Sequence, residues 1–208
     1  LIQVVIPHIE VEGPHSREAT LAQAIDSVYT QSVLELVHKP IVITDTDRRG
    51  PAWAVAQGVA QVTTKWVTLL GDDDWLMPRH HETLMYWAEQ TGADVVYGDV
   101  IIGDGTTLQT GSHWDMTFDE ERLRQGNYIP GGGSLIRTSL LKEVGVPQMD
   151  SIRYEREMAV YEDWAMYIAL LDGGAKFHHV DADLYYMRRW GGGGQGRNFR
   201  RDGTLGWT

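Results

Sequence analysis

Three consecutive carboxylates, Asp72, Asp73 and Asp74, follow Leu69-Leu70-Gly71 and precede Trp75-Leu76-Met77-Pro78. Adjacent like charges repel, so such a run at the end of an apolar strand calls for a counter-charge. A divalent cation is one answer: carboxylate oxygens suit Mg2+ or Mn2+, and a cation so held bridges diphosphate oxygens. The other answer is a solvated acidic turn before the helix expected after Pro78, whose N-terminal dipole favours Asp. The residues alone leave these two readings level. A second acidic pair, Glu162-Asp163, opens an apolar-periodic stretch. A carboxylate there serves as a general base toward a hydroxyl, or only suits the first turn of a helix. The glycines at 131–133 allow close backbone approach to a sugar or diphosphate, or form a flexible connection. They lack a following Walker lysine, so they are not a P-loop.

Several elements must position these groups. A strand is expected over residues 3–6, stopped by Pro7, and a helix over about 17–31. Ser16 would cap that helix, with Leu21, Ile25 and Val28 on its inner face. A second strand spans 41–44 and ends at Asp45. A helix then covers 52–62, and a third strand, 65–70, runs into the acidic turn. Pro78 stands at an expected first helical position, with the helix ending near Gly92 and a fourth strand at 94–97. Beyond residue 100, Asp104-Gly105 suggests a hairpin. Thr117 and Glu120 suggest a capping box. A strand enters at 131–137, a short helix stops at Gly145, and a helix spans 161–171 with Trp164, Ile168 and Leu171 on one face. Two short strands follow at 177–180 and 184–187. The glycine-rich tail after Trp190 reads as a mobile loop. Alternating strands and helices predict an α/β fold with a mainly parallel sheet, and no repeat is visible.

At 208 residues the chain fits one domain. It has no cysteine, so disulfides, thiolate metal sites and a Cys nucleophile are out, which suits a cytoplasmic setting. Acidic residues number 29 against 18 basic ones, a net charge of −11 that repels nucleic-acid backbones. Nucleic acid is therefore not the expected partner, although Arg188, Arg189, Arg197, Arg200 and Arg201 form a local basic set. No run of 18 apolar residues exists, so no membrane span is expected. No secretory signal is expected either, and the start at Leu1 inside a strand suggests missing upstream residues.

The stretch from Leu70 to Pro78 resembles the metal-binding segment of GT-A-fold glycosyltransferases of family 2, where a strand ends in an Asp-x-Asp-type motif commonly followed by Trp and Pro. Other pieces resemble that family in the same order. Val4 to Pro7 matches its first strand, and Leu21 to Gln31 its first helix. Asp45 stands at its nucleoside-contacting acid, Arg49 to Gly58 at its glycine-containing segment, and Tyr161 to Trp164 at its late Glu-Asp motif. The likeness runs from about residue 3 to 190. It implies a GT-A (Rossmann-like) domain over 1–208, with a nucleotide-sugar-binding half at 1–100 and an acceptor and catalytic half at 101–190. The tail at 191–208 would be a lid or flexible end; Arg188, Arg189 and Trp190 read equally as the hinge of a lid over the diphosphate or as edge-strand residues beside the tail.

The resemblance also implies an activity. This would be an inverting, metal-dependent glycosyltransferase that moves a sugar from a nucleotide-diphosphate sugar, UDP-linked by default, to a hydroxyl on a protein or glycan. Asp163 would be the base, supported by Glu162, and Mn2+ or Mg2+ would sit at Asp72, Asp73 and Asp74. Asp45 would meet the uracil or ribose, Pro7 and His8 would underlie the base, and Arg49 would reach a phosphate or stay in solvent. Asp47 would at most cap a turn.

Three departures stand out. Gly71 occupies the place of the first acid of Asp-x-Asp, which leaves either Asp72 with Asp74, or Asp73 alone, to hold the metal. His8 replaces a Thr or Tyr, and Gln57 a frequent Asn. Two rivals remain: a catalytically silent nucleotide-sugar-binding module, and a sugar nucleotidyltransferase. The latter would need a basic, Gly-rich segment after the first strand, where residues 8–16 have two glutamates and no lysine. A retaining transferase is a variant that product stereochemistry separates. Of the aromatic residues, Trp53, Trp66 and Trp87 read as packing residues, and Trp114 and Trp190 as candidates for stacking on a sugar. His178 and His179 face opposite ways on a strand, so at most one would enter a site.

Overall fold

The apolar run Val4-Val5-Ile6 can be covered on both sides only inside a layered sheet. In the computed structural model it forms the middle of β1 (Ile2–His8), between the parallel strands β2 (Ile41–Thr44) and β3 (Trp66–Leu69). The structure describes residues 1–10, 17–104, 116–147 and 162–188. Ser16, the expected turn beyond Asp104, Trp114, and Arg189, Trp190 and the tail lie outside the described residues.

Strands β4 (Trp75–Leu76), β5 (Val95–Gly103), β6 (Leu135–Arg137) and β7 (Phe177–Arg188) complete a seven-stranded sheet of order β2-β1-β3-β6-β5-β7-β4. The α/β class is as expected, but the sheet is mixed rather than mainly parallel. Strand β6 wedges between β3 and β5 and runs against both, and β4 runs against β7. Strand direction leaves no trace in a run as short as Leu135-Ile136-Arg137.

β1 continues through Pro7 instead of stopping there. The Val5 carbonyl accepts from Leu70 and the His8 carbonyl from Asp45, so odd-numbered backbone groups of β1 face β3 and even-numbered ones face β2. The missing N–H of Pro7 therefore points past the end of β3, where no ladder bond is lost. β5 likewise runs straight on through Ile101-Ile102 to Gly103. β7 is one 12-residue strand, because a bulge opposite Gly98 and Asp99 absorbs the interruption that resembled a break.

Helices cover both faces. α1 (Glu18–Tyr29) buries Thr20, Ala24, Ser27 and Val28, a small-residue face that approaches β4 closely, while Leu21 and Ile25 are only partly buried. The Leu76 amide donates to Ser27 Oγ at 3.1 Å across that contact. α2 (Pro51–Gln61) starts on Pro51 and packs on β1 and β2. α3 (His80–Thr91) starts two residues later than Pro78 suggested and stops at left-handed Gly92. α4 (Glu120–Gln125) is capped by the Asp119 carboxylate, which accepts from the Arg122 amide at 2.9 Å and takes the place expected for Thr117. α5 (Thr138–Val144) ends at Gly145, and α6 (Glu162–Asp172) buries Trp164, Met166, Tyr167 and Leu170.

Gly58 shows how closely α2 lies on the sheet: a Cβ there would overlap Val5 Cγ1 and stand 3.4 Å from Ile43 Cγ1. Alanine favours a helix interior over glycine by about 1 kcal/mol. Gly58→Ala is nevertheless expected to destabilise the fold by roughly 1–3 kcal/mol through overpacking. Chemical denaturation of the two proteins checks this, and an unchanged or raised midpoint would contradict it.

Candidate active site

The C-terminal ends of β1, β2 and β3 open into a cleft of about 400 Å3, the place where open α/β sheets bind ligands. Pro7, His8, Asp45, Asp72, Asp73, Asp74, Glu162 and Asp163 all line it, joined by Arg17, Gly131, Gly132 and Tyr185. Two acidic groups 90 residues apart in sequence thus share one hollow.

The three carboxylates of the turn have three different environments. Asp72 is buried, and both its oxygens are engaged. Arg17 donates to Oδ1 at 2.5 Å, the Ile9 amide donates to Oδ2 at 3.3 Å, and His8 Nδ1 lies 2.8 Å from Oδ2. Asp73 sits at the rim, its Oδ2 3.4 Å from the same guanidinium. Asp74 is buried again: the Tyr185 hydroxyl donates to its Oδ2, and the Arg188 amide donates to Oδ1 at 2.8 Å. Burial, reinforced by the charge of Asp73, pushes Asp74 up to about 7, against the pull of those two donors. Burial and the Asp74 charge push the Tyr185 phenol well above its ordinary range.

Arg188 ties this turn to the rest. Its side chain donates to the Asp73 carbonyl at 3.0 Å and to Gln23 Oε1 of α1 at 2.6 Å, and its guanidinium lies 5.3 Å over the Trp75 ring. Arg188, the first of the three residues read as a lid hinge, is here a clamp on the acidic turn.

Asp163 faces the turn from the start of α6 and keeps an edge in the cleft. Asn127 donates to its Oδ2 at 3.1 Å, and the Trp164 amide donates to its Oδ1 at 2.7 Å. Burial first, and the charge of Glu162 second, push it up to about 7. The glycine run makes this possible. A Cβ on Gly131 would stand 2.6 Å from Asp163 Oδ2, and one on Gly132 would overlap the Tyr185 hydroxyl. Gly133, at φ +79°, donates to the Leu69 carbonyl at 2.9 Å. The run is therefore a close-packed crossing between the two acidic groups, not a slack connection.

Other candidates sit elsewhere. Arg49 does not line the cleft: its guanidinium lies over the Trp53 ring, 4.6 Å from the ring centre. Its amide and that of Gly50 donate to the Asp45 oxygens at 2.9 and 2.6 Å, so Asp45 caps the turn into α2. Asp45 nevertheless lines the cleft, and each carboxylate oxygen can accept a second hydrogen bond. Asp47 is exposed in the same turn. Neither His178 nor His179 enters the cleft; His179 Nε2 is 2.9 Å from Asp99, and His178 lies beside Trp87.

No group of three His, Asp or Glu side chains is arranged to hold a metal among the described residues. With both oxygens of Asp72 and of Asp74 engaged, Asp73 is the carboxylate at the rim. A Cβ on Gly71 would stand 3.3 Å from Asp73 Oδ1 and 2.7 Å from Asp74 Oδ2. The glycine thus has a steric cause. Asp73, at the rim, would be the carboxylate to hold a cation of the Mg2+ type, which takes one or two carboxylates and completes its shell with water and phosphate oxygens. Arg17 and Tyr185 escaped sequence reading. The first is one arginine at the edge of a helix, and the second comes from a strand 111 residues beyond Asp74.

The model of glycosyl transferase family 2 matches residues 26–145. Among solved structures, S. aureus TarS superposes with a TM-score of 0.65 at 15% identity, covering 90% of this chain and 36% of TarS. TarS 1–349 in complex with UDP-GlcNAc gives 0.67 at 15% identity, covering 92% of this chain and 59% of that one. TarS 1–349 in complex with UDP gives 0.64 at 16%, covering 90% and 60%. These likenesses establish the GT-A architecture, and this chain spans at most 60% of the length of those proteins. A comparison with curated proteins finds no match.

The unequal burial of the acidic turn has a measurable consequence. Asp72→Ala leaves Arg17 and His8 beside an empty, buried position. It is expected to cost about 3 kcal/mol, seen as a melting temperature lower by roughly 6–12 °C. Asp73→Ala removes a rim carboxylate and should stay within about 1 kcal/mol of the parent. Thermal denaturation of the two variants checks the ranking, and equal losses would contradict it.

Proposed function

Given that this chain belongs to glycosyl transferase family 2, we propose that it moves a sugar from a nucleotide-diphosphate sugar to the hydroxyl of a protein or glycan acceptor, with inversion. The observation that carries this reading is the shared cleft. Asp163, a carboxylate pushed up to about 7, faces the acidic turn across a glycine crossing. A base with that proton affinity accepts a proton near neutral pH better than an ordinary Asp would.

In this reading the donor lies along the ends of β1 to β3, with its nucleoside near Pro7 and Asp45, whose remaining lone pairs suit N–H or O–H donors. TarS complexes hold UDP-GlcNAc and UDP, which supports UDP as the first nucleotide to try. Asp163 takes the proton of the acceptor hydroxyl on Oδ2, the oxygen that Asn127 orients. The acceptor oxygen then bonds the anomeric carbon from the face opposite the diphosphate, and the bond from that carbon to the diphosphate oxygen breaks. Glu162 supports the base by keeping its proton affinity high. Met166, Val146 and Met187 give that end an apolar wall that limits competing water. A Mg2+ or Mn2+ ion held by Asp73, next to Asp74 Oδ2, would neutralise charge on the departing diphosphate.

Asp163→Asn keeps the shape and removes the base. Turnover is expected to fall by about 10²–10⁴-fold, with the dissociation constant for UDP within about twofold. Because the base works only when deprotonated, kcat of the parent should rise with pH up to about 7 and level off above it. A pH–rate profile that falls over that interval, or full turnover in the variant, would remove Asp163 from the reaction.

Calorimetric titration with UDP, GDP and dTDP, with and without Mn2+, tests the donor site. One nucleotide should bind, and more tightly with Mn2+. Binding of none by folded protein would favour a silent module.

A further inference from the structure

We propose that Arg17 is the resident counter-cation of this cleft: its guanidinium contacts the donor's diphosphate and competes with the divalent cation for Asp73. The proposal rests on the donor-site reading above and adds a residue that neither the motif nor the family likeness singles out. Among the described residues lining the cleft, Arg17 is the only Arg or Lys, facing Asp45, Asp72, Asp73, Asp74, Glu162 and Asp163. Among the described lining residues, a dianionic diphosphate entering this hollow meets a fixed positive charge at Arg17 alone, against six carboxylates.

The guanidinium is placed rather than tethered loosely. Its carbonyl accepts from the Leu21 amide at 2.8 Å and the Thr20 hydroxyl at 3.0 Å, which fixes its backbone at the start of α1. One end of its fork is held at 2.5 Å by Asp72, itself fixed by His8 and the Ile9 amide. The other end reaches Asp73 at only 3.4 Å, so the two contacts are unequal. Asp73 is also the rim carboxylate that suits a metal. A cation arriving there exchanges the weaker contact while the Asp72 anchor stays, and the fork end turns to a phosphate oxygen. Arginine stays charged at every working pH, and its planar fork matches phosphate geometry.

Two titrations of the parent, Arg17→Gln and Arg17→Lys read this out: UDP in EDTA and in Mn2+ by calorimetry, and Mn2+ without nucleotide by electron paramagnetic resonance. The parent should bind UDP measurably in EDTA. Arg17→Gln should weaken that metal-free binding at least about tenfold, lose much less in Mn2+, and bind Mn2+ alone more tightly, because a competing charge has left Asp73. Arg17→Lys keeps the charge without the fork and should recover part of the metal-free binding. A merely structural role would weaken all three measurements together, and tighter Mn2+ binding is the outcome it cannot produce. The proposal is overturned if the parent binds UDP only with metal. It is also overturned if Arg17→Gln binds UDP in EDTA as the parent does. Metal-supported UDP binding in those cases leaves the donor site standing, whereas no nucleotide binding under any condition overturns both.

Discussion

The buried carboxylate of Asp72 is the point on which this architecture turns. Its two oxygens take donors from the end of β1 (His8 and the following Ile9 amide) and from Arg17 just before α1, while its backbone follows the end of β3. A charge removed from water is costly unless its partners are complete, so three elements must arrive together for Asp72 to be tolerated. That requirement sets the mouth of the cleft: β1 must run on through Pro7 to deliver His8, and α1 must begin where Arg17 can reach.

Asp74 imposes the matching constraint from the other side. Its oxygens are satisfied by the Tyr185 hydroxyl and the Arg188 amide, both on β7, which draws that strand against the turn. Tyr185 in turn occupies space that only glycine at 132 leaves open, and Asp163 does the same at 131. The acidic turn, the glycine crossing and the start of α6 are therefore one packed unit. Asp74 and Asp163 share the same proton affinity for the same main reason, desolvation. They differ in access: the first is closed in by Tyr185 and Arg188, and the second keeps an edge in the cleft.

The acidic run also shows why charge repulsion in a sequence does not identify its own remedy. Three adjacent carboxylates call for positive charge or hydrogen-bond donors, and the fold supplies Arg17, Tyr185 and Arg188 before any metal is considered. The carboxylate left at the rim is Asp73. The family's usual first acid would place its Cβ against Asp74, which accounts for the glycine.

Apolar periodicity and turn chemistry determined much by themselves. β2 falls at 41–44 as expected, α2 begins at Pro51, Gly92 and Gly145 stop their helices, and the order of motifs reveals the family. These are local signals, carried by residues within one turn or one strand. Strand direction, the bulge that makes β7 continuous, and the shift of the α4 cap from Thr117 to Asp119 were not legible, because each depends on what lies alongside. The same holds for the site. The sequence by itself pointed to the acidic turn and to Glu162-Asp163, since their types and spacing are written in one place. Only the tertiary structure decided how each is used, because burial and partners come from strands and helices up to 111 residues away. Those neighbours, not the residue type, give adjacent aspartates different environments.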